Sequence, residues 1–383
     1  MTAPTRPEPA PGEEPRPRPQ FKLGFMTHVT GSGGSATAYH HLTELFVAAD
    51  ALGVDGGFIA EHHLAGPQAG QVPSPMVALA AIAAQTRQIE LGVSAVVLPL
   101  TDPVRVAEDA AVLDTLSGGR VQLGLGTGGA NLARYPAFGR DPAVAGEEYF
   151  AKAAELQTIL AGEPVRGTDS VLTPSAKGLL ARMWGAHGTE ASVRRAARLG
   201  LGVMYGTATL DAKAVQRPLV DAYLDEWAAR GAVDAPPTVR ADLRPRLAAI
   251  RMLFAARNRE SAKHELAGLL RAQAGRVAEA RGVPVSDLTD DDIVAGLNMH
   301  IGSPDDIAES LRADPALLDH AGYLMPVVNA LPTDSGSTAE LDRTIRWIET
   351  IATEVAPRLG WRPAAGATAG GPRRGPQERN HGD

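Results

Sequence analysis

Residues 89–126 read IELGVSAVVLPLTDPVRVAEDAAVLDTLSGGRVQLGLG. Ile89–Leu98 is a Val-rich apolar run, as expected of a strand covered on both faces. Asp102–Leu116 follows with a helical pattern, stopped by Ser117-Gly118-Gly119, and Arg120–Gly126 is apolar and extended again. Strand, helix and strand in this order make one unit of a parallel sheet covered by helices.

Reading outward, the same unit recurs. Strands are expected at Phe21–Thr27, Val54–Ala60, Ile89–Leu98, Arg120–Gly126, Arg182–Ala186, Leu201–Tyr205, Leu247–Ala255 and Tyr323–Val328. Helices are expected at Ala38–Leu52, Met76–Gln85, Asp102–Leu116, Ala191–Leu199, Ala214–Ala229, Ser303–Leu311 and Leu341–Ala356. Glu260–Asn298 is Arg/Glu-rich and reads as a helical insertion before the last strand. A doubly wound sheet and a (β/α)8 barrel both use such units. The barrel fits the strand count, the size of about 340 residues and the lack of a linker. The folded unit is expected over 21–361. The segment 1–20 holds seven of the 29 prolines, and 362–383 is small and polar, so both are expected to be disordered tails.

Composition narrows the chemistry. The 383 residues include no cysteine, which excludes disulfide, thiol and zinc–cysteine sites. The net charge of −7 argues against a nucleic-acid surface. No apolar run approaches the roughly 18 residues of a membrane span, and residues 1–20 carry no hydrophobic stretch of a secretory signal. A soluble, cytoplasmic protein is expected.

Four motifs lie near strand ends. Gly124-Leu125-Gly126-Thr127-Gly128-Gly129 satisfies GxGxxG, but Pro136 and Gly139 follow too soon for the long helix a dinucleotide site needs. A glycine loop where a ligand approaches the backbone is the better reading. Glu61-His62-His63 follows a strand; neighbouring residues on an extended chain point opposite ways, so one imidazole is expected at the barrel mouth as acid, base or donor, with no metal site. Thr189 and Ser192 open a helix. Their hydroxyls and the free amides of the helix start suit either a phosphate or a plain N-cap. Ser303-Pro304-Asp305-Asp306 is a helix start of structural character.

Taken in order, further stretches resemble the flavin-dependent luciferase-like monooxygenases. They are Ala60-Glu61-His62-His63, Pro73-Ser74-Pro75, Ile89–Gly92, Val97–Leu100, Asp102–Asp109, Leu113-Asp114, Ser117–Arg120, Ala137-Phe138-Gly139 and Gly302–Asp305. Gln216-Arg217-Pro218 and Val220–Leu224 are similar to a bacterial subgroup described only as FMN-dependent. The resemblance implies a (β/α)8 barrel that takes reduced FMN and molecular oxygen and oxidises a small organic substrate through a peroxyflavin. It implies an NAD(P)H-dependent flavin reductase as partner and a homodimer. His62 matches the family's active-site histidine. Ser94 and Ala95 match the third-strand cis peptide that packs on the flavin ring, and Gly188, Thr189 and Ser192 match the phosphate turn. Thr127 stands where luciferases carry a phosphate-binding arginine, so either the amides of Gly128 and Gly129 substitute or the flavin binds weakly. Position alone suggests His28, Tyr135, Phe138, Met204, Tyr205 and Met325 for the substrate pocket, or for core packing. A deazaflavin coenzyme that transfers hydride on the same fold, or a flavin-binding protein without catalysis, are the alternatives.

Overall fold

The computed structural model describes residues 21–30, 35–66, 70–206, 211–317, 322–328 and 338–363. The expected tails lie outside these, apart from residues 362 and 363, and so does the glycine-rich segment 31–34. Along the chain run β1 (Lys22–Thr27), α1 (Ser35–Ala51), β2 (Gly56–Ile59), α2 (Pro75–Ala83), β3 (Glu90–Val97), α3 (Pro103–Ser117), β4 (Val121–Gly126), α4 (Ala145–Leu160) and β5 (Met183–Ala186). There follow α5 (Glu190–Arg198), β6 (Gly202–Tyr205), α6 (Arg217–Arg230), a short α7 (Pro237–Arg240), β7 (Leu247–Ala255), α8 (Arg259–Arg281), α9 (Asp290–Gly296), β8 (Met299–Gly302), α10 (Pro304–Ala313), β9 (Tyr323–Val328) and α11 (Thr338–Thr350).

Every strand pairing is parallel. The sheet closes as β1-β2-β3-β4-β5-β6-β7-β9 and back to β1, so eight strands form the barrel. The eight expected strands are the eight barrel strands. β8 is an addition. The long β7 pairs with β9 through Ala248–Arg251 and then with β8 through Met252–Ala255, so the sheet forks above Arg251. Four residues ending in glycine gave β8 no periodicity to read. The expected insertion is α8 and α9, with Leu266, Leu270 and Val277 burying its apolar stripe against Met252, Phe254 and Met299. The described structure also contains α4, which buries Tyr149, Phe150, Ala153 and Leu156.

Alternation along the strands divides the core in two. Met26, Phe58, Trp184, Met204, Ile250, Tyr323 and Met325 fill the barrel interior. Leu23, Phe25, Ile59, Leu91 and Val93 face the helices. Each such side chain, once buried, contributes about 1.5–3 kcal/mol. The interior is filled around a glycine: a Cβ on residue 92 would lie 2.0 Å from Phe58 Cδ1. Polar groups close the N-terminal end. Lys22 meets Glu90 at 2.6 Å, the Tyr323 hydroxyl donates to Glu90, and Gln122 links Glu90 to the Trp184 indole. In this architecture the other end, where the strands exit, is the one left for chemistry.

Candidate functional site

The chain leaves β1 at His28 and β2 at Glu61-His62-His63. Nδ1 of His28 lies 2.8 Å from Nε2 of His62. His62 is nearly buried, and its backbone N–H donates to Val72 O at 3.0 Å. Burial lowers the His28 pKa to about 4, and the neighbouring His62 adds to the shift. Burial lowers that of His62 as well, helped by His63 and Arg134. Both rings are therefore neutral near pH 7.

His63 takes other partners. Its Nε2 is 2.9 Å from Glu61 Oε1, which also accepts the N–H of Val97 at 2.9 Å. Asn131 ties both backbones down, accepting from His63 N at 2.9 Å and donating to Glu61 O at 3.2 Å. Glu61 and His63 thus brace the loop against β3, while the His62 ring pairs with His28. Among the described residues no three His, Asp or Glu side chains converge as metal ligands. The sequence reading missed the bracing role of Asn131, whose only signal is a polar residue in a glycine-rich run.

On β3 the Ser94–Ala95 peptide is cis. Ser94 Oγ contacts Met204 Sδ at 3.3 Å and Met26 Sδ at 3.5 Å, so Met204 reaches this point from the barrel interior. The β3–β4 register shifts between Val93 and Val96. Gly124 makes room for that shift, since a Cβ there would stand 2.2 Å from Val93 O. The GxGxxG run therefore serves close strand approach. After it Gly128 adopts φ +65 and a 3-10 segment, Gly129–Phe138, begins instead of the α-helix that a dinucleotide site requires.

Thr127 accepts the Tyr135 hydroxyl on its carbonyl at 2.7 Å. Tyr135 is fully buried beside Val97 and Ala145, so it packs the loop and presents no surface to a ligand. Tyr205 is a second correction. Strand alternation turns it into the helix layer, where its hydroxyl donates to Ala316 O. Met325 is fully buried in the barrel interior. Phe138 meets His63 edge-on at 4.9 Å, in a groove along α2 and α3 that includes neither His28 nor His62. Of the expected pocket residues, His28 and Met204 are the ones in contact with His62 or Ser94.

After β5, Thr189 caps α5. Its Oγ1 accepts Ser192 N at 3.3 Å, and Ser192 Oγ donates to Thr189 O at 2.8 Å. The plain capping box is thus formed, with Thr189 exposed and Ser192 half-buried. Near it His187 stacks on Phe150 at 5.5 Å, and the Arg195 guanidinium lies over the Phe150 ring at 3.9 Å. Burial, then Arg195, lowers the His187 pKa to about 4. A Cβ at Gly129 or at Gly188 would meet nothing within 4 Å, so the backbone at each of these two points leaves room for a cofactor phosphate to approach.

A model of the luciferase-like monooxygenase family matches residues 20–318. The chain belongs to that family. Over 103 residues the chain is 30% identical to the oxygenase component of a flavin-dependent trigonelline monooxygenase from Acinetobacter baylyi, covering 27% of this chain and 28% of that one. The chain spans at most 41% of the length of the curated relatives it matches first. Among solved structures, the FMN complex of the oxygenating constituent of 3,6-diketocamphane monooxygenase from Pseudomonas putida superposes with a TM-score of 0.67 at 18% identity, covering 88% of this chain and 98% of that one. The coenzyme F420-dependent tetrahydromethanopterin reductase of Methanopyrus kandleri gives 0.65 at 17%, covering 89% and 99%. At such identities these two neighbours share the fold. Among the described residues no helix is long and apolar enough to cross a membrane.

Proposed function

We propose that this luciferase-like monooxygenase uses reduced FMN and molecular oxygen to oxidise a small organic substrate. The observation that carries the reading is the placing of the His28–His62 pair and the Ser94–Ala95 edge at one end of a barrel of this family. When bound, reduced flavin supplies the electrons that activate oxygen. Ser94 and Ala95 support the ring. Gly188, Thr189 and Ser192 hold the phosphate together with the amides of Gly128 and Gly129, in place of the charged pair that Thr127 cannot make. His62 holds or gives a proton at an imidazole nitrogen facing the reacting atoms, and its low pKa keeps the ring neutral until it is needed. The methionines Met26 and Met204 keep the floor of the site apolar and exclude water.

A separate NAD(P)H-dependent flavin reductase delivers the reduced cofactor; the oxygenase-component relative supports this pairing. A homodimer is part of the same proposal. Val77 on α2 and Val112 and Leu116 on α3 are exposed and share one lateral groove, a surface that a second copy would cover.

Titration of the purified protein with FMN and with a deazaflavin coenzyme tests the cofactor. Quenching of FMN fluorescence with no response to deazaflavin is expected. The reverse would favour hydride transfer, a second reading supported by the F420-dependent neighbour.

A further inference from the structure

The contact between His28 Nδ1 and His62 Nε2 carries an inference that does not depend on the cofactor. At 2.8 Å the two nitrogens share a hydrogen bond, so one proton lies between them. Each neutral imidazole has one N–H and one lone pair. Two neutral rings hold two protons on four nitrogens. One proton is in the bridge. The second is on an outer nitrogen, His28 Nε2 or His62 Nδ1, and the remaining outer nitrogen is bare. When His62 owns the bridging proton, its Nδ1 is bare and His28 Nε2 is protonated. When His28 owns it, the two outer atoms exchange roles.

We propose that His28 and His62 form a proton relay across the barrel mouth. A proton taken up at the bare outer nitrogen of one ring is matched by the bridging proton passing to the other ring and by release of that ring's outer proton. One proton enters and one leaves; no charge is left and no heavy-atom bond changes. His28 is then a positioning residue that also refills His62. Among the described residues the titratable and charged groups facing the pair are His63 and Arg134, both toward His62; His28 faces His62 itself. Burial, first of all, keeps both rings neutral near pH 7, the state in which one outer nitrogen is bare. Each histidine loop also carries a non-glycine residue in the left-handed region, Val29 at φ 50 next to His28 and Leu64 at φ 50 near His62. Such outliers persist where the surroundings hold the chain in place.

The test uses ligand-free protein labelled with 15N-histidine. Near neutral pH, a scalar coupling through the hydrogen bond should join Nδ1 of one ring to Nε2 of the other. On acidification both rings should shift with one common midpoint, because the pair takes its first proton as a unit. His28→Gln should abolish the coupling with the circular dichroism spectrum unchanged. Two independent midpoints without coupling in the wild-type protein would overturn the proposal. His28→Asn keeps a polar atom near the position of Nδ1 but has no second nitrogen to pass a proton on. Exchange of the His62 ring proton with solvent should slow several-fold in that variant; an unchanged rate overturns the relay. FMN binding can fail with the coupling intact, and the coupling can be missing in a protein that binds FMN, so the two readings fail separately.

Discussion

Gly70 lies against the imidazole of His62: a Cβ on residue 70 would stand 2.3 Å from Cδ2 and 2.6 Å from Cγ of the ring. Its φ of +136 is also one that side chains rarely adopt. Gly70→Ala should therefore push the ring away from His28 and cost about 1–3 kcal/mol of stability. Urea unfolding and the histidine NMR spectrum of the same variant measure both effects. Gly275→Ala is the control of opposite sign. Gly275 is exposed inside α8 with nothing within 4 Å of a Cβ, and the change should add up to about 1 kcal/mol.

Gly124→Ala meets backbone instead of a side chain. The new Cβ would stand 2.2 Å from Val93 O, and a carbonyl in a paired strand cannot rotate aside. The expected loss is about 1–3 kcal/mol, seen as a lower Tm, with weaker FMN binding because β3 shifts. An alanine variant as stable as wild type would mean that β3 has more freedom than its packing implies.

Arg251 is fully buried and donates through Nε to Asp314 at 2.7 Å; Asp314 in turn accepts Ala316 N at 2.8 Å. Arg251→Met leaves a buried carboxylate without its cation and should cost about 3–5 kcal/mol. Adding Asp314→Leu should recover much of that loss. A double-mutant cycle by denaturant unfolding reads the coupling directly, and additive losses would contradict it.

Acid should weaken the fold before its carboxylates titrate. His187 and His28 have folded pKa values of about 4 against an ordinary 6.5, burial being the main cause in each. Between those values the unfolded chain binds more protons than the folded one, so stability falls as pH drops from 6.5 to 4 and is at its full value above 6.5. His187 alone should contribute on the order of 2–3 kcal/mol to this slope. Thermal melts at stepped pH, repeated on His187→Gln, should show the shallower dependence in the variant.

The groove along α2 and α3 predicts the assembly state. Leu116 is 66% exposed and Val77 71%. Leu116→Asp should convert a homodimer to monomers, measured by light scattering after size exclusion, with the melting temperature of the monomer fold little changed. A wild-type protein that runs as a monomer would remove the proposed interface.

The strand pattern was legible in the sequence because parallel strands covered on both sides are continuous apolar runs, and helices between them mark their ends. That is why Ile89–Leu98 and Arg120–Gly126 announced a repeating unit. Glu61-His62-His63 was legible as a candidate site for the same local reason: polar residues directly after a buried strand. The pocket residues were not. Tyr205, Tyr135 and Met325 follow or lie in strands as far as sequence spacing can say, but a side chain's direction depends on which layer its strand turns toward, and the partner that holds the Tyr205 hydroxyl, Ala316, comes from a distant segment.

By itself the sequence determined the eight-strand barrel, the absence of thiol chemistry and the helix starts at Thr189 and Ser303, since local propensity, periodicity and composition suffice for these. Only the tertiary structure decided that His62 pairs with His28, 34 positions away, and that Glu61 serves His63 and Val97 instead. Those choices follow from the parallel pairing of β1 with β2, which brings the ends of the two strands, and with them His28 and His62, side by side.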